Sequence, residues 1–358
     1  MKKLLLATAV AALSVSAAQA APTVYGKIFM TADYVDQESN NFGLVDYDEN
    51  GVQINSNFSR IGLKGSEAVS ANTDVIYQLE YGIDVDADDH QTFRNRDTYL
   101  GLKNNTFGEL RVGNIQSTTD YVNNVVVNPA FWDNLGTDVS SINLDTGEVG
   151  ALNMADSGRR SNSVIWKAPK YQGLPLQFAA MYVNDDDITT NDSGWGASVM
   201  FDQGTGFTAG LAYDKDANIA GSILRGTATV DLAKVAGTSV PLTLGALYQV
   251  ADYDARFVDD ASENWLIAVG EKKEKGFVLS AEMGLTNFAK PASVYAQYNN
   301  TSNITGVEDL DSQQLVIGGK YSYKSNMIAH AYVGKNEVDI DNADADTFAV
   351  GGGLEYLF

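Results

Sequence analysis

Apolar and polar residues alternate along most of this chain in runs of about ten, separated by polar connections. That period belongs to strands with one oily and one wet face. In VYGKIFMTADY, Ile28, Met30, Ala32 and Tyr34 oppose Lys27, Thr31 and Asp33. In NFSRIGLKGSE, Ile61 and Leu63 oppose Arg60 and Lys64. In DVIYQLEYGID, Val75, Tyr77, Leu79 and Tyr81 oppose Asp74, Gln78, Glu80 and Gly82. Val164 and Trp166 share a face, as do Met327, Ala329, Ala331 and Val333. The C-terminal TFAVGGGLEYLF sets Phe348, Val350, Gly352, Leu354, Tyr356 and Phe358 against a face that is small or polar except at Leu357.

A soluble sandwich also alternates. The aromatics, taken together, favour a barrel instead. Pairs such as Tyr77/Tyr81, Tyr321/Tyr323 and Tyr356/Phe358 sit near strand ends, where a membrane barrel carries its aromatic girdles. Connections alternate in length as well. KNNTFG (103–108), PKYQG (169–173), DQGTG (202–206) and YKSN (323–326) read as short turns. The stretches 37–50, 185–192 and 339–346 read as long polar loops, and one connection, about Ser117 to Ser157, is far longer. Seventeen candidate runs emerge, three of them within 262–300. An antiparallel barrel with both ends on one side needs an even number. The expected fold is therefore an all-β transmembrane antiparallel barrel of 16 strands, with one surplus run in 262–300 and counts two higher or lower as the alternatives.

The N-terminus gives the compartment. MKKLLLATAVAALSVSAAQA has a basic start, a short apolar run and an Ala18-Gln19-Ala20 cleavage pattern, so residues 1–20 read as a secretory signal peptide and 21–358 as the barrel. Beyond it no apolar stretch is long enough for a spanning helix. The chain has no cysteine, which removes thiol chemistry, and a net charge of −22, which argues against nucleic acid as a partner. No G-x-S-x-G, H-E-x-x-H or Walker pattern appears. The two histidines, His90 in a loop and His330 in a strand, stand near no nucleophile motif, so the expectation is not an enzyme and no cofactor.

The assembled segments resemble the general porins of Gram-negative outer membranes. FSRIGLKGSE (58–67) with VIYQLEYG (75–82) is similar to that family's second and third strands, and RDTYLGLKNNTFGELRVGN (96–114) to its fourth and fifth. NPAFWDNLG (128–136) stands where the family's constriction loop lies, and RRSNSVIWKAPKYQG (159–173) matches the strand after it. The resemblance implies a homotrimeric barrel of 16 strands with the long third loop folded into the lumen. It also makes the terminal Phe358 the signal read by the barrel assembly machinery. The chain departs from the family at Ala130, where an acid is usual, and at Asn114, where a base is usual.

Expected function follows from this resemblance: passive diffusion of ions and small hydrophilic solutes, the alternatives being a substrate-selective channel on the same fold and a plugged structural barrel. Strand parity puts Arg60 and Lys64 inside. With Tyr99 on the oily face, Arg94 and Arg96 fall inside too, and with Val164 and Trp166 oily, Arg159 does. An Arg or Lys facing lipid at mid-depth costs about 2–4 kcal/mol, which favours this placement. The opposing acids are expected on the long loop at Asp120, Asp133 and Asp138. The acid-rich DADDH (86–90) and Asp339, Asp341, Asp344 and Asp346 fit no EF-hand spacing. They are either hydrated loops or weak Ca²⁺ or Mg²⁺ ligands bridging lipopolysaccharide.

Overall fold

The computed structural model describes residues 21–86, 93–133, 142–143, 145–156, 158–171, 173–184, 193–254 and 271–358. The expected signal peptide, His90, Asp138 and the loop 185–192 lie outside them. Seventeen β segments follow one another: β1 Thr23–Asn40, β2 Tyr47–Ser56, β3 Arg60–Ser70, β4 Thr73–Ile83, β5 Phe93–Asn104, β6 Gly108–Gln116, β7 Arg159–Lys167, β8 Leu176–Val183 and β9 Gly194–Asp202. The rest are β10 Phe207–Lys215, β11 Gly221–Asp231, β12 Leu242–Tyr253, β13 Lys273–Leu285, β14 Ala292–Ser302, β15 Asp311–Lys324, β16 Met327–Ile340 and β17 Ala343–Leu357. From β3 onward each segment pairs antiparallel with the next, and β17 returns to β1, from Lys27 opposite Leu357 to Asn40 opposite Asp344. The sheet closes into a barrel through the β1–β17 pairing, and closure pairs the backbone groups that an open sheet would present to lipid.

Seventeen segments make sixteen spanning strands. β2 lies along Met30–Ser39 of β1, and β3 lies along Thr23–Lys27 of the same edge, in the same direction. They are two halves of one strand, interrupted at 57–59. The surplus expected in 262–300 is found here instead. The described part of 262–300 holds only β13 and the start of β14, and residues 255–270 lie outside the description. At the interruption Phe58 takes a φ of 52°, the Asn57 N–H donates to the Phe29 carbonyl at 2.8 Å, and the Phe29 N–H donates to Ser59 Oγ at 3.0 Å.

Two long polar loops also proved shorter than expected. Of 37–50 only 41–46 connects strands, and of 339–346 only Asp341–Asn342 does. Here the strands continue past the oily band: their outward residues (Glu38, Asp339, Asp344) are polar, while Ser39, Val338 and Ala345 stay buried on the inner face. Within the band the two faces separate cleanly. On β1 Val24, Ile28 and Tyr34 are exposed while Lys27, Phe29, Thr31, Asp33 and Val35 are buried. On β17 Phe348, Val350, Leu354 and Tyr356 are exposed with Phe358 beyond them, while Ala349 is buried.

Candidate functional site: the loop and the wall it faces

The chain between β6 and β7 lies against the inward face of β10–β17 and β1. It begins with a helical turn, Thr118–Tyr121. Its base is held by charged and amide groups buried on the wall. Asp214 of β10 accepts from the Thr118 and Thr119 hydroxyls. Gln249 Nε2 donates to the Ala155 carbonyl at 2.7 Å, and the Ala155 N–H donates to Glu274 Oε1 at 2.7 Å. Fully buried Arg225 donates to Gln249 Oε1 at 2.7 Å and reaches the carbonyls of Thr119 and Ala155, each at 3.4 Å. One guanidinium thus ties both ends of the loop to one strand. Buried charges are tolerated where every donor and acceptor finds a partner.

The tip is held by packing. Trp132, 1% exposed, sits with Ala130 among Phe29, Val35, Tyr295, Val316, Tyr332 and Ala349. Its socket requires a glycine at 334, where a Cβ would lie 2.7 Å from the indole. Asn128 Nδ2 donates to the Tyr295 hydroxyl at 3.0 Å, and the Asp133 N–H closes a turn onto the Ala130 carbonyl at 3.0 Å. That turn sends Trp132 into the wall and leaves Asp133 lining a cavity. Ala130, where the resemblance expects an acid, fills part of the socket. Burial pushes the Tyr121 phenol, at the loop's start, up to about 12, so it stays neutral.

The cavity, about 770 Å³, lies between this tip and the uncovered wall. Arg94, Arg96 and Arg159 line it with Asp133, Asp84 and Asp86. Arg96 Nε donates to Glu80 Oε1 at 2.7 Å, and Arg60 Nε stands 3.8 Å from Glu80 Oε2, which also accepts from the Tyr25 hydroxyl at 2.9 Å. Arg159 Nε donates to Asp97 Oδ1 at 2.9 Å. Arg94 makes no ion pair with a described residue. Lys64 stands apart, its Nζ 4.7 Å from the centre of the Tyr25 ring. Asp120 lies at the loop's base, away from the lining.

Parity predicts an oily-face Tyr99 in β5, and the structure places it on the inner face. This residue packs inward with Ile115, Ile165 and Met181, while Leu100 and Leu102 are the exposed side chains. A bulge, in which Leu79 opposes Thr98 but Tyr81 opposes Asn95, shifts the strand by one residue. A bulge redirects the side chains beyond it. Arg94 opposite Gly82, and Arg96 against Glu80, therefore turn inward although Tyr99 does so as well. Asn114, where the resemblance expects a base, donates to the Arg96 carbonyl at 2.6 Å and braces that arginine's backbone.

At the barrel seam the Phe358 carbonyl accepts from the Gly26 N–H at 2.9 Å, and its ring stacks 6.3 Å from Tyr356. Gly26 has no room for a Cβ beside that ring. Asp339 and Asp344 face each other across the β16–β17 hairpin, and Asp346 pairs with Lys335 at 3.1 Å. Among the described residues the carboxylates that converge are Asp36, Glu38 and Asp48, with ligand atoms within 4.8 Å.

The barrel is thus closed and antiparallel, oily outside, with a loop laid on its inner wall and guanidinia near carboxylates. A family model described as Gram-negative porin matches residues 7–341. The chain belongs to the Gram-negative porin family. This porin is 29% identical over 192 residues to the major outer membrane protein P.IB of Neisseria sicca, across 54% of this chain and 50% of the relative. It is 28% identical over 226 residues to a monosaccharide porin of Halomonas sp, across 59% of this chain and 57% of the relative. The match thus spans about half the length of these curated relatives. Its fold is similar to that of the anion-selective porin from Comamonas acidovorans, with a TM-score of 0.65 at 16% identity, covering 95% of this chain and 100% of the other. The porin is a multi-pass β-barrel protein of the outer membrane.

Proposed function

We propose that this porin forms a water-filled channel through which ions and small hydrophilic solutes diffuse, without a chemical reaction. The observation that carries the reading is the cavity of about 770 Å³ between the Asp133 tip and the Arg94, Arg96 and Arg159 wall. A barrel of sixteen strands is wide enough to enclose water. The loop narrows it, and opposed charges at the narrowing discriminate by charge and dipole. Purified protein in planar bilayers should give discrete conductance steps, and liposome swelling should fall smoothly with solute size. A barrel that inserts but never conducts would be plugged, and the reading would fail.

The channel is proposed to work as a homotrimer, with its oily band in contact with lipid and lipopolysaccharide. Phe358, at the seam, is proposed as the residue the assembly machinery reads. Its deletion should lower the yield of folded barrel while leaving the conductance of the barrels that do form unchanged. An undiminished yield would remove it from that role.

A further inference from the structure

We infer that the narrow zone holds a weak subsite for a small sugar acid, a polyhydroxylated ring bearing one carboxylate. This rests on the channel reading and goes beyond it. The first observation is Phe58. Its φ of 52° lies in the left-handed region, where the seven other non-glycine residues described are Asn, Asp and one Thr. A bulky residue held there is strained, and such strain gathers at functional sites. Its ring faces the lumen beside Lys27, whose Nζ is 5.7 Å from the ring centre. It is 39% exposed in a space that should be wet. An Asn at 58 would relieve the strain, and a polar side chain would avoid exposing a ring to water. Phe131 meets the same cavity from the loop tip. Two rings from opposite sides suit the C–H faces of a pyranose.

The second observation is the polar lining between them. Asn55, Asn57 and Asn95 line the cavity with the carboxylates. The Asn55 amide donates to Asp33 and the Asn57 amide to Thr31. These bonds fix the side chains and leave the side-chain Oδ1 atoms of Asn55 and Asn57 for hydroxyl donors. The third is Arg94. The cavity's other guanidinia are paired to Glu80 and Asp97. Arg94, exposed and without an ion pair among the described residues, is the group to take a solute carboxylate in two parallel hydrogen bonds. An inorganic anion would leave the rings unused, a neutral sugar would leave Arg94 unused, and an aromatic acid would leave the amides unused. A sugar acid engages all three. Passage requires such binding to be weak.

The test is single-channel recording on the reconstituted full-length porin, with sodium glucuronate, glucose or sodium benzoate added at constant ionic strength. Glucuronate should reduce the open-channel current saturably, at concentrations about tenfold lower than glucose, the ratio expected for 1.4 kcal/mol from one added charged contact. Arg94→Ala should abolish the tenfold difference. Phe58→Asn, which suits the left-handed backbone, should weaken both sugars equally while the barrel inserts normally. Equal or absent block by glucuronate and glucose would overturn the inference, and stronger block by benzoate would reassign the site to aromatic acids. A protein that gives no conductance steps would overturn the channel reading itself.

Discussion

The inner wall of this barrel has two unlike halves. Along β10–β17 and β1 it is covered by the loop and buried. Its polar groups (Asp214, Arg225, Gln249, Glu274, Gln297, Asn336) are spent on the loop's backbone and side chains. Along β3–β7 the loop covers only the Ile115–Ile165 patch, through Tyr121, and the polar groups there pair with each other or face the cavity. The same residue types therefore do different work. A guanidinium with 0% exposure at Arg225 is a fastener. A guanidinium at the edge of water, such as Arg94, is open to whatever enters the cavity. Burial, more than sequence type, separates scaffold from site.

Four substitutions sharpen that contrast, in falling order of expected effect. Trp132→Ala should act most strongly, because emptying a packed indole socket costs about 3–5 kcal/mol. The freed tip should raise single-channel conductance and make it noisy, while Trp132→Phe should behave near wild type. Conductance unchanged in the alanine variant would show that the tip is held elsewhere. Arg225→Met comes next. Removing one partner from a buried charged network costs about 3–5 kcal/mol. The loop should become open to protease in the folded barrel, and a loop that stays resistant would mean that Gln249 and Glu274 suffice. Arg94→Ala should leave stability and conductance nearly unchanged but move the zero-current potential in a salt gradient toward cations. Arg60→Ala should move it the same way but less, because Arg60 lies outside the cavity lining and beside Glu80. Equal shifts from the two would erase the distinction between lining and supporting arginines.

The barrel was legible in the sequence because the oily band imposes a strict period of two. The C-terminal face from Phe348 to Phe358 could be read by eye. Legibility stopped where that constraint stops. At Ser39–Asn40 and Asp339–Ile340 the outward residues turn polar, only scattered inward positions such as Val338 and Ala345 stay apolar, and the chain looks like loop. The split second strand and the bulge in β5 are local offsets of one residue, and parity counting has no means of detecting them. That is why parity sets Tyr99 on the oily face, whereas the structure packs it inward against Ile115 and Ile165. On the loop, composition offered six acids but not their positions. Asp133 reaches the cavity because Trp132 beside it is socketed, and Asp120 stays at the base. The signal for the tip was the aromatic pair Phe131-Trp132 rather than the acids. An exposed tryptophan in a hydrated loop has little reason to exist, and a docked one has.

The seam between β1 and β17 has a consequence for how the molecule is made. These two strands are the most distant partners the polypeptide has, and fourteen residue pairs join them. Apart from β6 and β7, which the long loop separates, the earlier pairings can form locally, yet the cylinder stays slit until its two ends meet, a closure that loop entropy makes slow. Once zipped, the ring must be torn along some full length before any part can leave, which predicts a molecule that assembles late and comes apart reluctantly.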